Sequence, residues 1–134
     1  RSKDLIIING RNIWPQDLEQ LAEQQPDVRP GDALAFAVPG TDGADVAVMV
    51  VQYRDRDSAR RAELIRHLQG LIHAAVGVDC HIELAPLHTL PRTSSGKLSR
   101  SKARQNYIDA HPLNKIAVHN TREEAAVLSQ KQAG

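Results

Sequence analysis

The stretch ALAFAVPGTDGADVAVMVV, residues 33–51, decides the fold. Leu34, Phe36 and Val38 alternate with alanines, the period of a β-strand, and the alanine face implies that something packs close against it. The segment PGTDGAD supplies the turn. Residues 46–51 are continuously apolar and rich in β-branched side chains. That pattern predicts a central strand covered on both faces and antiparallel to its predecessor.

Outward from this pair, Leu64, Ile65, Leu68, Leu71, Ile72, Ala75 and Val76 recur at helical spacing, and Gly77 is the expected stop. Ile82 and Leu84 then alternate with His81 and Glu83 as a third strand. Upstream, residues 5–8 and the IW pair at 13–14 flank a turn tipped by Asn9, Gly10 and Arg11, a small hairpin. Pro15 suits the first turn of a short helix carrying Leu18, Leu21 and Ala22, which Pro26 and Pro30 end. Downstream, Pro86 and Pro91 bracket a loop, and Ser99 can cap a last helix bearing Ala103 and Tyr107. The polar tail TREEAAVLSQKQ reads as a loose helix. Together these elements predict an α+β domain: a small, mainly antiparallel sheet of about three core strands plus an N-terminal hairpin, flanked by helices.

At 134 residues the chain suits one domain. Its 17 basic and 16 acidic residues leave a formal charge of +1, so any anion site has to be local. Four aromatic side chains (Trp14, Phe36, Tyr53, Tyr107) give almost nothing on which nucleic-acid bases could stack. Cys80 is the lone cysteine and reads as a small core residue, which fits a reducing compartment; the expected location is the cytoplasm. No apolar run approaches the ~20 residues of a membrane span. With Arg1 first and Met49 the sole methionine, the chain is expected to be part of a longer one. The six histidines show no metal-ligand spacing, and no Ser-His-Asp order argues for a free-standing hydrolase.

The chemistry-bearing stretch is PRTSSGKLSR, residues 91–100. It falls short of a phosphate-binding P-loop: that pattern needs a glycine where Pro91 stands and a hydroxyl residue where Leu98 stands. What remains is a hydroxyl-rich, flexible turn (Thr93, Ser94, Ser95, Gly96) ending in Lys97, a point charge that can be carried into another surface's active site. Taken alone, Arg92, Lys97, Arg100, Lys102 and Arg104 read first as a solvated basic face.

A second motif adds to this reading. RSKDLIIINGRNIWPQDLE (1–19), together with LPRTSSGKLSR (90–100), resembles the small C-terminal domain of the acyl-adenylate-forming enzymes: acyl-CoA synthetases, fatty-acyl-AMP ligases and nonribosomal peptide adenylation domains. The first family motif is matched by Arg1, Lys3, Asp4, residues 5–8, Gly10, Asn12, Ile13, Pro15 and Glu19, and the second by Leu90, Pro91, Thr93, Gly96 and Lys97. The resemblance spans roughly residues 1–108 and looks most like the fatty-acyl-AMP ligases, which load acyl-carrier proteins.

This resemblance implies a hinge segment at 1–4, a mobile C-terminal domain at 5–108 and a polar tail at 109–134. It implies an ATP-dependent ligase that forms acyl-AMP and passes the acyl group to a phosphopantetheine thiol. The acceptor would be an acyl-carrier protein or, alternatively, coenzyme A. A large N-terminal domain would bind ATP with Mg, and the isolated domain would be inactive. Lys97 would be the catalytic cation and Lys3 the hinge. Arg1 and Asp4 would meet the nucleotide or the opposite domain, or act as structural ion-pair partners. Asn9, Gly10, Arg11 and Asn12 would line the pantetheine route, or form a hairpin turn that binds nothing. Asn9 stands where coenzyme A users often carry a second glycine; its side chain would narrow the path or finish the turn. Glu19 and Pro15 are assigned to capping and packing. A reading from another class remains, a non-catalytic module binding a carrier protein or nucleic acid.

Overall fold

The computed structural model describes residues 4–40 and 42–111. Arg1, Lys3 and the tail from residue 112 therefore lie outside the described residues.

Eight elements follow in order: β1 (Ile6–Ile8), β2 (Arg11–Ile13), α1 (Pro15–Glu23), β3 (Ala33–Pro39), β4 (Asp45–Gln52), α2 (Ser58–Val76), β5 (Cys80–Ala85) and α3 (Arg100–Ala110). β1 and β2 form the expected hairpin, and β3-β4-β5 form a separate sheet with β4 at its centre. Two of the three strand pairings are antiparallel. The third, β4 with β5, is parallel. The 19-residue α2 accounts for that direction: it carries the chain back along the sheet, the connection that a parallel neighbour requires.

The centrality of β4 explains the unbroken apolar run at residues 46–51, because the sheet is covered on both faces. Ala33, Ala35, Ala47 and Met49 face Leu18 and Ala22 of α1 and Leu68 and Ile72 of α2. Leu34, Phe36, Val38 and Val48 face Ala103 and Tyr107 of α3, with Leu90 closing that side. The small alanine side chains let two helices pack near the backbone on one face; the bulkier face receives a single helix. Ala75, expected on the buried stripe of α2, is exposed.

Local signals set the boundaries. Pro15 opens α1. Asp57 caps α2 by accepting from the Arg60 N–H, and Ser99 caps α3 by accepting from the Lys102 N–H. Gly77 ends α2 at φ +77° in the left-handed region, its N–H donating to the His73 carbonyl.

β3 lies at the sheet margin, and two side chains meet backbone groups on its outer side. Glu19 of α1 accepts from the Ala35 N–H at 2.8 Å, and Arg104 of α3 donates through Nε to the Ala37 carbonyl at 2.7 Å. Glu19 also pairs with Arg100 at 3.2 Å, both side chains being largely buried. Glu19, expected to serve capping and packing, joins α1 to β3 and to the start of α3. Burial pushes the Glu19 carboxyl above its ordinary range, with the Ala35 N–H and Arg100 partly offsetting the desolvation.

Candidate functional site: an exposed lysine on a braced turn

Residues 92–98 form a miniature hairpin arm. Arg92 and Leu98 bridge as antiparallel partners. The Thr93 N–H donates to the Lys97 carbonyl at 2.7 Å, and the Gly96 N–H donates to the Thr93 carbonyl at 2.9 Å. Gly96 takes φ +88°, where a side chain would be strained. The Arg92 guanidinium donates to the Gly96 carbonyl at 2.7 Å, and the hydroxyls of Thr93 and Ser95 are 2.9 Å apart. The composition had suggested a slack turn; the arm is instead closed by its own hydrogen bonds.

Ser94, Ser95, Gly96 and Lys97 are all exposed. Among the described residues no acceptor meets the Lys97 ammonium, so this cation is presented outward rather than consumed by the domain's own sheet. Arg92, Arg100 and Arg104, by contrast, are committed to Gly96, Glu19 and Ala37. The five-residue basic face therefore divides into three structural arginines and two exposed lysines, Lys97 on the arm and Lys102 in the first turn of α3, whose ammonium groups meet no acceptor among the described residues.

Asp4 lines a cleft of ≈ 340 Å³ with Asp45, Arg100, Ser101 and Arg104. Both ends of the first motif thus meet the start of α3, Asp4 at this cleft and Glu19 through its pair with Arg100.

The second candidate group sits on the N-terminal hairpin. Asn9 and Gly10 both have positive φ, +52° and +78°, the requirement of the tight turn that suits a hairpin's twist. Asn9 completes that turn. It also lines a cleft of ≈ 540 Å³ with Ile8, His73, Val78, Asp79 and His81. Arg11 and Asn12 are exposed in β2. The Arg11 guanidinium lies over Gly77, at the carbonyl end of α2, where a cation is favourable. A Cβ at Gly77 would stand 3.0 Å from Arg11 Cζ. Gly77→Ala is accordingly expected to cost about 1–2 kcal/mol, mostly from forcing a side chain into left-handed backbone. It should also displace the Arg11 side chain from the helix end. Urea unfolding reads the first effect, and the Arg11 side-chain resonances in an NMR spectrum read the second.

Two other groups are unsuited to this chemistry. Burial pushes the Cys80 thiol up to about 12, so it stays protonated near neutral pH and is a poor nucleophile. Among the described residues no group of three His, Cys, Asp or Glu is placed to hold a metal ion. No helix among them is long and apolar enough to cross a membrane.

Sequence reasoning missed three features of the site: the Arg92 brace, the Glu19–Arg100 pair and the buried Gln52. Each depends on which polar atoms meet across the fold, and hydrophobic periodicity does not report that.

No protein-family model matches the chain. A Caulobacter vibrioides protein carrying the provisional name acyl-CoA synthetase is 50% identical over 109 residues, 81% of this chain and 19% of that protein. A medium-chain-fatty-acid–[acyl-carrier-protein] ligase of Moorena producens is 36% identical over 118 residues, again 81% of this chain and 19% of the relative. Among solved structures, one from a study of fatty acyl-adenylate ligases from E. coli and L. pneumophila matches with 46% identity and a TM-score of 0.72. It covers 82% of this chain and 19% of that one. The chain spans about one-fifth of the length of the curated relatives it matches.

Proposed function

The chain belongs to the superfamily of acyl-adenylate-forming ligases and synthetases, and from that premise we propose that it is the mobile C-terminal catalytic domain of a fatty-acid-activating ligase. A large N-terminal domain of the same protein would hold ATP with Mg and the acid. The relatives' fivefold greater length supports that arrangement.

The observation that carries the reading is the exposed Lys97 at the end of a braced arm, its ammonium meeting no acceptor among the described residues. In acyl-AMP formation a carboxylate attacks the α-phosphate of ATP, so two anions must approach. Lys97 would be swung into the active site of the large domain and bridge them. The bracing supports this role: a cation held on a rigid arm arrives already oriented. Residues 1–4 would be the hinge, with Lys3 absorbing the rotation and Arg1 and Asp4 beside it meeting the nucleotide or the opposite domain surface. Proline fixes φ near −65°, so Lys3→Pro is expected to slow whichever half-reaction needs the torsion that proline excludes. Unchanged rates in both halves would remove Lys3 from the hinge.

In the second half-reaction a phosphopantetheine thiol displaces AMP, and the hairpin would turn towards the large domain. Ile7 and Trp14, the exposed large hydrophobic residues of the described chain at 55% and 40% exposure, offer an apolar strip for that docking. Asn9, Gly10, Arg11 and Asn12 would line the thiol's approach.

An acyl-carrier protein is the preferred acceptor. The likeness to the Moorena ligase, whose name gives an acyl-carrier protein as acceptor, supports it; the Asn9 side chain, besides completing the turn, would narrow the route. Coenzyme A is the alternative that the Caulobacter relative's name favours. The expected location of the enzyme is the cytoplasm. Exchange of labelled pyrophosphate into ATP, given a fatty acid and the full-length protein, tests the reaction; a carrier-binding or nucleic-acid-binding module would give no exchange. Acyl transfer from supplied acyl-AMP to holo-carrier protein or to coenzyme A then separates the acceptors.

A further inference from the structure

Gln52 is the last residue of β4 and follows directly on the apolar run of residues 46–51. It is only 6% exposed, and every polar atom of its side chain is engaged. Its Oε1 accepts from the backbone N–H groups of both Thr89 and Leu90, each at 2.9 Å. Its Nε2 donates to Asp32 Oδ1 at 3.0 Å. Asp32, itself buried, accepts from the Arg29 N–H through its other oxygen at 3.2 Å, and its carbonyl accepts from the Gln52 N–H at 2.7 Å. Only an amide fits this position, because one end meets two donors and the other end meets a carboxylate.

What Gln52 holds is the root of the Lys97 arm. Thr89 and Leu90 lead directly into Pro91, whose carbonyl accepts from the Ser99 N–H at 2.9 Å, and into the Arg92–Leu98 bridge. The preceding residue, His88, has φ +66°, a conformation that a residue with a side chain avoids unless its surroundings impose it. The turn at His88 brings two successive amides to one oxygen. The outgoing limb of the arm is tied to α3 through the Ser99 cap, so Gln52 supplies the matching tie on the incoming limb.

We propose that Gln52 is the positioning residue for Lys97: it fixes the base of the arm, and so the point that the ammonium reaches in the adenylation pose. This rests on the reading of Lys97 given above. Gln52 itself touches no reactant. Its influence is confined to the half-reaction that uses Lys97, since the thiol step would be served by the hairpin of β1 and β2.

The test uses the full-length enzyme. Gln52→Met should lower the rate of acyl-AMP formation by ~10- to 100-fold, the scale of an ångström-level misplacement, with the loss in kcat rather than KM. Acyl transfer from supplied acyl-AMP should stay within twofold of wild type. In the Lys97→Ala background Gln52→Met should add no further loss, because a residue that acts only through Lys97 has nothing left to position. The swap Asp32→Asn with Gln52→Glu restores an acceptor towards Thr89 and Leu90 and a donor from position 32, and should recover most of the lost rate.

Equal losses in both half-reactions, additive losses in the double variant or a swap that rescues nothing would each overturn the proposal. So would Thr89 and Leu90 amides in the wild-type enzyme that exchange hydrogen as fast as those of Ser94 and Ser95; this measurement stands even if Gln52→Met does not fold. If Lys97→Ala leaves adenylation intact, the functional reading falls. If Lys97→Ala abolishes adenylation and Gln52→Met does not affect it, only the positioning role falls.

Discussion

In the full-length enzyme, Lys97→Ala is expected to slow acyl-AMP formation by ~100- to 1,000-fold, the usual consequence of deleting one preorganised charge contact in a catalytic site. The magnitude follows from the reactants. In the proposed reaction a carboxylate and a triphosphate would repel, and bulk water, which would otherwise screen them, would be excluded from a closed site. At an effective dielectric of ~20, a cation 4 Å from either anion supplies an attraction of about 4 kcal/mol. The exposed Lys97 has no competing acceptor among the described residues, so little has to be broken before it moves into place. Transfer from supplied acyl-AMP should survive, because that step involves no approach of carboxylate to triphosphate. Pyrophosphate exchange measures the first half and thioester formation from synthetic acyl-AMP the second. Equal losses in the two assays would assign Lys97 a structural role.

The largest expected effect on stability comes from Arg100→Met. Arg100 approaches both carboxylate oxygens of Glu19, at 3.2 and 3.4 Å, in a largely buried contact between α1 and α3. Methionine preserves much of the apolar stem while leaving Glu19 buried with the Ala35 N–H as its remaining partner. Removing one member of such a pair typically costs about 3–5 kcal/mol. The pH dependence has a definite sign. Burial already holds the Glu19 carboxyl above its unfolded value of 4.5, and without Arg100 it rises further. A carboxyl raised in this way favours the folded state below the unfolded value and loses that contribution as pH climbs through the folded one. The stability gap between wild type and variant should therefore be widest near pH 7 and narrow as pH falls towards 4.5. Urea titrations at the two ends of that range measure it; a gap independent of pH would mean that Glu19 ionisation is not the cause.

The sequence patterns that report local geometry were readable. The alternation in ALAFAV marked β3, the β-branched run marked a strand covered on both faces, and Gly77 and Ser99 marked helix ends that the structure places where expected. The parallel direction of β5 was implicit in the long helix before it, although strand composition does not encode it. Harder to read were the polar contacts between distant positions. Glu19 meets Ala35 and Arg100, and Gln52 meets Asp32, Thr89 and Leu90. Periodicity says which way a side chain faces, and stops short of naming the atom that waits for its tip. Gln52 carried a faint signal as the polar end of VAVMVVQ, a run that could have finished on another valine. For Lys97, the motif indicated a charge and a glycine; the braces that stiffen its arm came from Arg92 and from backbone carbonyls.

Occupied outer positions on β3 have a consequence for solubility. A sheet margin with free amides invites a foreign strand to stitch on, and repetition of that event grows a fibril. Glu19 occupies the Ala35 N–H and Arg104 the Ala37 carbonyl from two different helices, so an intruding chain would have to evict a carboxylate and a guanidinium to pair with those two groups.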